Sequence, residues 1–260
     1  MLKVQYASDL HLELNDNIHF INANKQLIEP VGDILLLAGD IAYLDSKTSS
    51  HEKFKEFFDF CADNFEETLI IPGNHEFYDY YDVSTLYDGY CKELRPNVKI
   101  YYNSVVNVAD TDFILSTMWS YIPQLYEKAV SRGLSDFYRI KYGDHKLTAA
   151  EFNLLHQNCV DFIKKSIEES EAKHKVVVTH HLPSMSVMAT EFIGSSLNGG
   201  FVSEQCDFIK DSDIDYWVYG HSHRNIPAEI GKTKLVCNQL GYVGYCEHSS
   251  FVPYKMFELD

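Results

Sequence analysis

The stretch Thr68-Leu69-Ile70-Ile71-Pro72-Gly73-Asn74-His75-Glu76 decides how the rest of the chain is read. A short apolar run passes straight into a turn, and the turn carries an amide, an imidazole and a carboxylate. Such a run, bounded by turn residues, has the length of a buried strand. The arrangement recurs four times. Residues 3–7 lead into Ser8-Asp9-Leu10-His11, 33–38 into Gly39-Asp40, 175–179 into His180-His181, and 214–219 into Gly220-His221-Ser222-His223. In open α/β sheets, ligands sit beyond the carboxyl ends of strands. Five strand ends bearing Asp, Asn and His therefore point to one shared site.

Helical patterns separate these strands. Residues 51–64 place Phe54, Phe57, Phe58 and Cys61 at i, i+3, i+4 and i+7, one face of a helix. Thr148 stands three residues before Glu151, the spacing of a capping box. Phe152, Leu155, Cys159, Phe162, Ile163 and Ile167 then mark a buried face. Further strand-like runs lie at 98–101, 105–108, 113–117 and 234–238, with one more expected in the tail at 251–257. No repeat and no linker divides the chain. The reading is a single α/β domain over 1–260, with more strands than a simple doubly wound sheet.

The chain has 260 residues, and 22 basic against 38 acidic side chains give a net charge of −16. Such a surface argues against sequence-independent nucleic-acid binding, which needs a basic footprint, and against docking on anionic membranes. The longest apolar runs fall far short of the roughly 20 residues that cross a bilayer. Six cysteines are widely spaced with no Cys-x-x-Cys pair, as free thiols in a reducing compartment would be. The expectation is a soluble, cytoplasmic protein with no signal peptide and no membrane partner.

The polar residues at the strand ends are Asp9, His11, Asp40, Asn74, His75, His180, His181, His221 and His223. Oxygen and imidazole donors without thiolates suit manganese, iron or zinc. Residues two apart in an extended segment point the same way, so Asp9 with His11, and His221 with His223, are each expected to reach one cavity. A lone histidine is more often a surface or core residue than a ligand. Here six of the 12 histidines fall in these loops.

These motifs resemble the calcineurin-like metallophosphoesterases, from Asp9 to His223. Asp9-Leu10-His11 is similar to the family's first motif, Gly39-Asp40 to the second and Gly73-Asn74-His75-Glu76 to the third. His180 matches the fourth, and Gly220-His221-Ser222-His223 the fifth. The resemblance implies two packed mixed β-sheets flanked by helices, a four-layer α/β/β/α sandwich, with two divalent metal ions at the strand ends. One ion would take Asp9, His11 and His223, and the other Asn74, His180 and His221, with Asp40 bridging. A hydroxide shared by two ions roughly 3.5–4 Å apart is the implied nucleophile. His75 serves no metal in that pattern, so it becomes the candidate general acid or donor to the phosphoryl oxygen. His180, directly after the strand and its small polar residue, takes the ligand role, which leaves His181 as a supporting or substrate-facing group.

One departure bears on substrate. Many phosphatases with this pattern follow the second motif with an arginine, whereas here the chain runs Ile41-Ala42-Tyr43-Leu44-Asp45. A small or medium phosphate ester is the expected substrate, with a diester favoured over a monoester. Asp45 is either a partner for His75 or a loop cap. Residues 121–146 carry Lys128, Arg132, Arg139, Lys141 and Lys146 against Glu127, Asp136 and Asp144. That segment reads as a lid or wall whose Arg132 or Arg139 binds phosphate, or as a solvated connector. The aromatic run 77–82 would either stack on a substrate ring or pack on the core edge. The rival functions are a nuclease on the same scaffold, which the charge disfavours, and a non-enzymatic metal-binding scaffold for a protein partner.

Overall fold

A computed structural model describes residues 1–24, 27–44 and 54–260. Two six-stranded sheets form its centre. The first comprises β1 (Leu2–Ala7), β2 (Ile34–Ala38), β3 (Glu67–Ile71), β4 (Tyr90–Arg95), β5 (Val98–Tyr102) and β14 (Met256–Leu259), in the order β14-β1-β2-β3-β5-β4. The second comprises β6 (Ser104–Val108), β7 (Thr111–Leu115), β10 (His174–Val178), β11 (Tyr216–Val218), β12 (Ala228–Ile230) and β13 (Thr233–Val236), in the order β12-β13-β11-β10-β7-β6. A small hairpin, β8 (Lys141–Tyr142) with β9 (His145–Lys146), stands apart. The sheets are built alike: four parallel strands in the middle, one antiparallel strand on each edge.

The layering follows from the apolar runs. Successive side chains of a strand face opposite ways, so a run buried on both faces contributes to two cores. Ile34, Leu36 and Ala38 of β2 join Val4, Tyr6, Leu69, Ile71, Phe113, Val176 and Val178 between the sheets. Leu35 and Leu37 face the other way, into a core shared with Phe58 and Cys61 of the helix Lys55–Asn64. The second sheet's outer face packs Val177 and Trp217 against Val160, Ile163 and Ile167 of the helix Ala149–Glu169. That helix begins with the expected capping box, in which Thr148 and Glu151 satisfy each other's backbone donors. The mixed four-layer arrangement is the one the resemblance implied.

Several elements differ from expectation. Residues 51–53 of the expected helix lie outside the described residues. The tail at 251–255 is not strand, because its carbonyls serve side chains instead: Pro253 accepts from Gln5 and Val252 from Asn238. Strand β4 escaped notice because it is a half-exposed edge, Tyr-Cys-Lys-Glu-Leu-Arg, whose charges suit an unpaired border. The helix Asn15–Ala23 has little apolar periodicity. Its Asn17 side chain anchors it instead, donating to the carbonyls of Leu10 and Gly241.

Candidate metal centre

Parallel strands from both sheets end at one place. The carboxyl ends of β1, β2 and β3 meet those of β10, β11 and β13, and a single bridge, Ser8 with Gln239, ties the sheets there. The loops that follow turn sharply. Asp9, His11, Asp40, His221 and His223 all have positive φ, between 47° and 73°. Left-handed backbone costs a non-glycine residue on the order of 1 kcal/mol, and such strain concentrates at functional sites. The pairs Asp9/His11 and His221/His223 are therefore not extended, as expected from their spacing. Their side chains converge through left-handed residues.

Asp9, His11, Asp40 and His223 form one donor set, Asp40, His180 and His221 a second, and His11, Glu13 and His75 a third, with the potential ligand atoms in each within 4.8 Å of one another. The first two share Asp40. Asn74 joins the second set, its Oδ1 lying 3.1 Å from His180 Nε2. Every one of these side chains except Glu13 and His223 is buried.

The imidazoles are oriented by acceptors behind them. His11 Nδ1 donates to Glu13 (3.1 Å) and His223 Nδ1 to Glu247 (2.7 Å). His180 Nδ1 donates to the Ala38 carbonyl (2.9 Å), and His221 Nε2 to the Gly200 carbonyl (3.2 Å). Each ring thus commits its outer nitrogen to an acceptor and turns its other nitrogen inward, where a bound cation would take the lone pair. Without a cation, burial is outweighed by Asp9 and Glu247, which push the His223 imidazole up to about 10, and by Asp40, which pushes that of His180 up to about 9, so cation binding would release those protons. The inward nitrogens then approach one another: His11 Nε2 and His223 Nε2 at 3.1 Å, His180 Nε2 and His221 Nδ1 at 3.1 Å. Inward nitrogens facing one another between two carboxylates form a donor set for cations. Asn74 is set the same way, since its Nδ2 donates to Asp136 (2.9 Å) and presents Oδ1 to the cluster. The residues present fit two divalent ions that share Asp40.

Buried carboxylates hold the loops together. Glu76 accepts from the backbone N–H of Asp40, Ile41, Ala42 and Gly73. Burial and the Asp40 charge push its carboxyl up to about 7, against those backbone donors. Gly39 and Gly73 allow the close approach. A Cβ on Gly73 would stand 2.3 Å from Asp40 Oδ1, and one on Gly39 2.5 Å from His180 Nδ1.

His75 stands beside the cluster. Its Nδ1 donates to the same Glu13 oxygen that His11 uses, at 2.8 Å, and its Nε2 lies 3.2 Å from Tyr242 Oη. Burial opposes charge on this ring, but Asp40 and Glu13 outweigh it and move the imidazole up. Burial likewise works against ionisation of Glu13, yet its hydrogen bonds to His11 and His75 bring it down to about 2. Asp45 lies outside the described residues, and the observed partner of His75 is Glu13.

The sequence profile of the calcineurin-like phosphoesterases matches residues 2–225. The chain belongs to that family. As a member of it, this protein is a metal-dependent phosphoesterase. An uncharacterised protein of Acanthamoeba polyphaga mimivirus is 28% identical to it, the match covering 99% of this chain and 96% of that one. Among solved structures, phosphopantetheinyl hydrolase from Mycobacterium tuberculosis superposes with a TM-score of 0.71 at 14% identity. That match covers 99% of this chain and 96% of the other, and it shows a shared fold.

The other expected residues of the phosphoesterase fall differently. His181 is fully buried, between Trp119 and the His221 ring, and neither ring nitrogen has a partner. It packs behind the cluster and does not line the cavity beside the centre, which accords with the supporting role and not the substrate-facing one. Arg132 is exposed and lines no described cavity near the centre. Arg139 donates to Tyr43 Oη (2.8 Å) and lies 4.5 Å over the Tyr78 ring, on the His75 side. In the 77–82 run only Tyr78 reaches the cavity beside the centre, and its hydroxyl donates to Asp136 (2.6 Å).

Glu13 and Glu247 had no place in the sequence reading. For Glu13 a signal existed, since it continues the alternation Asp9, His11, Glu13. For Glu247, 24 residues from the histidine it supports, none did.

Proposed function

We propose that this phosphoesterase is dinuclear and hydrolyses a small or medium phosphate ester, with a diester favoured over a monoester. The observation that carries the reading is the sharing of Asp40 by two donor sets whose imidazoles each turn one nitrogen inward and commit the other to an acceptor behind. Asp9, His11 and His223 would hold one ion, and Asn74, His180 and His221 the other, with manganese, iron or zinc suited to such donors. Divalent ions there would supply positive charge against the phosphoryl oxygens and acidify a water.

The rest falls to the chain. His75 projects Nε2 towards the cavity, with its other nitrogen committed to Glu13, so it can hand a proton to the leaving oxygen. Tyr242 holds that ring from the opposite side. Asp136 fixes Asn74 and Tyr78 together. Residues 133–136 of the 121–146 segment line the cavity, which supports its role as a substrate wall. Arg139 is retained as a contact for a group on the His75 side. The diester preference is supported by the absence of arginine after the second motif.

The test is hydrolysis by chelator-stripped protein with manganese restored, on a chromogenic phosphodiester and the matching monoester in parallel. A faster diester is expected. A monoester preferred tenfold would reverse the assignment, and steep salt dependence on oligonucleotides would favour a nuclease.

A further inference from the structure

A cavity of about 350 Å³ opens beside the centre, bounded by the strand-end loops and by residues from 133–136 and 188–201. Its floor is polar, with Asp40, Asn74, His75, His221 and His223. Leu134, Met188, Phe192, Leu197 and Phe201 supply an apolar part of its wall. The apolar wall begins against the cluster itself, since the Phe201 ring lies 4.6 Å from that of His221 at an interplanar angle of 31°.

Charge in the cavity is one-sided. Arg224 is the only lysine or arginine among the described lining residues. Its guanidinium donates to Glu191 (2.9 Å) and Glu247 (3.3 Å) and lies 5.6 Å over the Phe192 ring. Asp136 and Glu247 add carboxylates to the lining. Arg139 lines an adjoining cavity, with Leu14, that meets this one at His75, Tyr78, Ser135 and Tyr242 and shares none of residues 188–201. Past the phosphoryl group, a ligand would therefore meet apolar surface and negative charge, with the one cation already paired twice. Ser135, Ser195, Asn198 and Ser222 also line it, so an anionic group placed there would lose water and meet neutral donors but no free cation.

We infer that this cavity seats the organic group of the ester and selects an uncharged apolar or aromatic group over one bearing a second anion. The inference rests on the phosphoesterase reading above. It predicts esters whose group on the 188–201 side carries no second anion. The wall supplies tenfold or more in affinity for a ring, as expected of pockets that bury about 100 Å² of apolar surface.

The experiment uses the manganese-loaded full chain and non-hydrolysable phosphonates measured by calorimetry. Phenylphosphonate is expected to bind at least about tenfold tighter than methylphosphonate. The 4-carboxy derivative of phenylphosphonate should bind about tenfold more weakly than its parent. Phe192 is 39% exposed at the end of the short 3-10 helix Thr190–Phe192, so Phe192→Ala leaves folding intact and should bring the phenyl-to-methyl ratio below about threefold. Leu197→Ala should reduce the same ratio. Equal binding of phenyl and methyl phosphonates, tighter binding of the carboxylate, or no binding of any of the three overturns the inference. Hydrolysis of simple esters is measured alongside. The expected phosphonate ranking without hydrolysis would sink the catalytic reading alone, and hydrolysis without the ranking would sink the cavity's preference alone.

Discussion

Asp40 and His75 stand within 4.0 Å of each other and are asked to do different things. Asp40 belongs to two donor sets, and removing its charge leaves the inward imidazoles with no shared anion. Asp40→Asn should lose bound metal and activity together, read as metal content by elemental analysis and turnover on the same sample. His75 touches the cluster through Glu13 and through its backbone N–H to Asp40, but it belongs to neither donor set that shares Asp40. His75→Ala should keep metal content at the wild-type level while turnover falls by about 10² to 10⁴, the usual worth of a general acid. An emptied site in His75→Ala would show that the ring holds metal. Residue chemistry was largely legible from the order of the motifs. The glutamates behind the histidines were not, because a supporting carboxylate comes from wherever the fold brings one.

At the scale of elements, the loops that follow β2 and β3 are packed so closely that they act as one piece. Glu76 stitches them through backbone donors, and Gly73 leaves no room for a side chain. Gly73→Ala should cut metal content by more than half, because its Cβ would displace Asp40 or His180. Gly143→Ala is the control: its φ is positive, at +65°, which that of Gly73 is not, and nothing lies within 4 Å of a Cβ there. That variant should lose about 1 kcal/mol of stability and no metal. Equal metal loss in both would mean that lost stability, not the close approach at Gly73, is responsible. The helix Ala149–Glu169 offers a second case. Its His156 donates from Nδ1 to the Met118 carbonyl, and its Nε2 lies 3.0 Å from Ser203 Oγ. Burial moves this imidazole below its usual range. The unfolded chain therefore takes up a proton as pH falls through about 6.5, while the folded one resists it. The stability this group contributes is full above that pH and is lost below it. The fall in Tm between pH 7.5 and 5.5 should be smaller in His156→Gln than in the native protein. An equal fall would remove His156 from the acid limb.

Across the whole molecule, both sheets deliver side chains to a centre that neither could build alone. Asp9, Asp40 and Asn74 come from the first sheet, and His180, His221 and His223 from the second. A cation bound between them crosslinks the two halves, and a ligand held only by the native state adds stability by mass action. Chelation should lower Tm, and restoring manganese should raise it again in step with its concentration. An unchanged Tm would mean that the sheets need no ion to stay closed. No helix among the described residues is long and apolar enough to cross a membrane.

The sequence by itself determined the alternation of buried strands with helices, the capping box at Thr148 and the ordered strand-end motifs. These are local properties, set by side-chain period and by residues next to one another in the chain. Only the tertiary structure decided that His181 is buried against Trp119, that Glu13 serves two histidines, and that Glu247 supports His223. It alone placed Arg139 against Tyr43 and Tyr78 and left Arg132 on the surface. Those outcomes depend on which distant segments meet at the strand ends, and sheet order and loop closure settle that through packing that no single stretch of sequence contains.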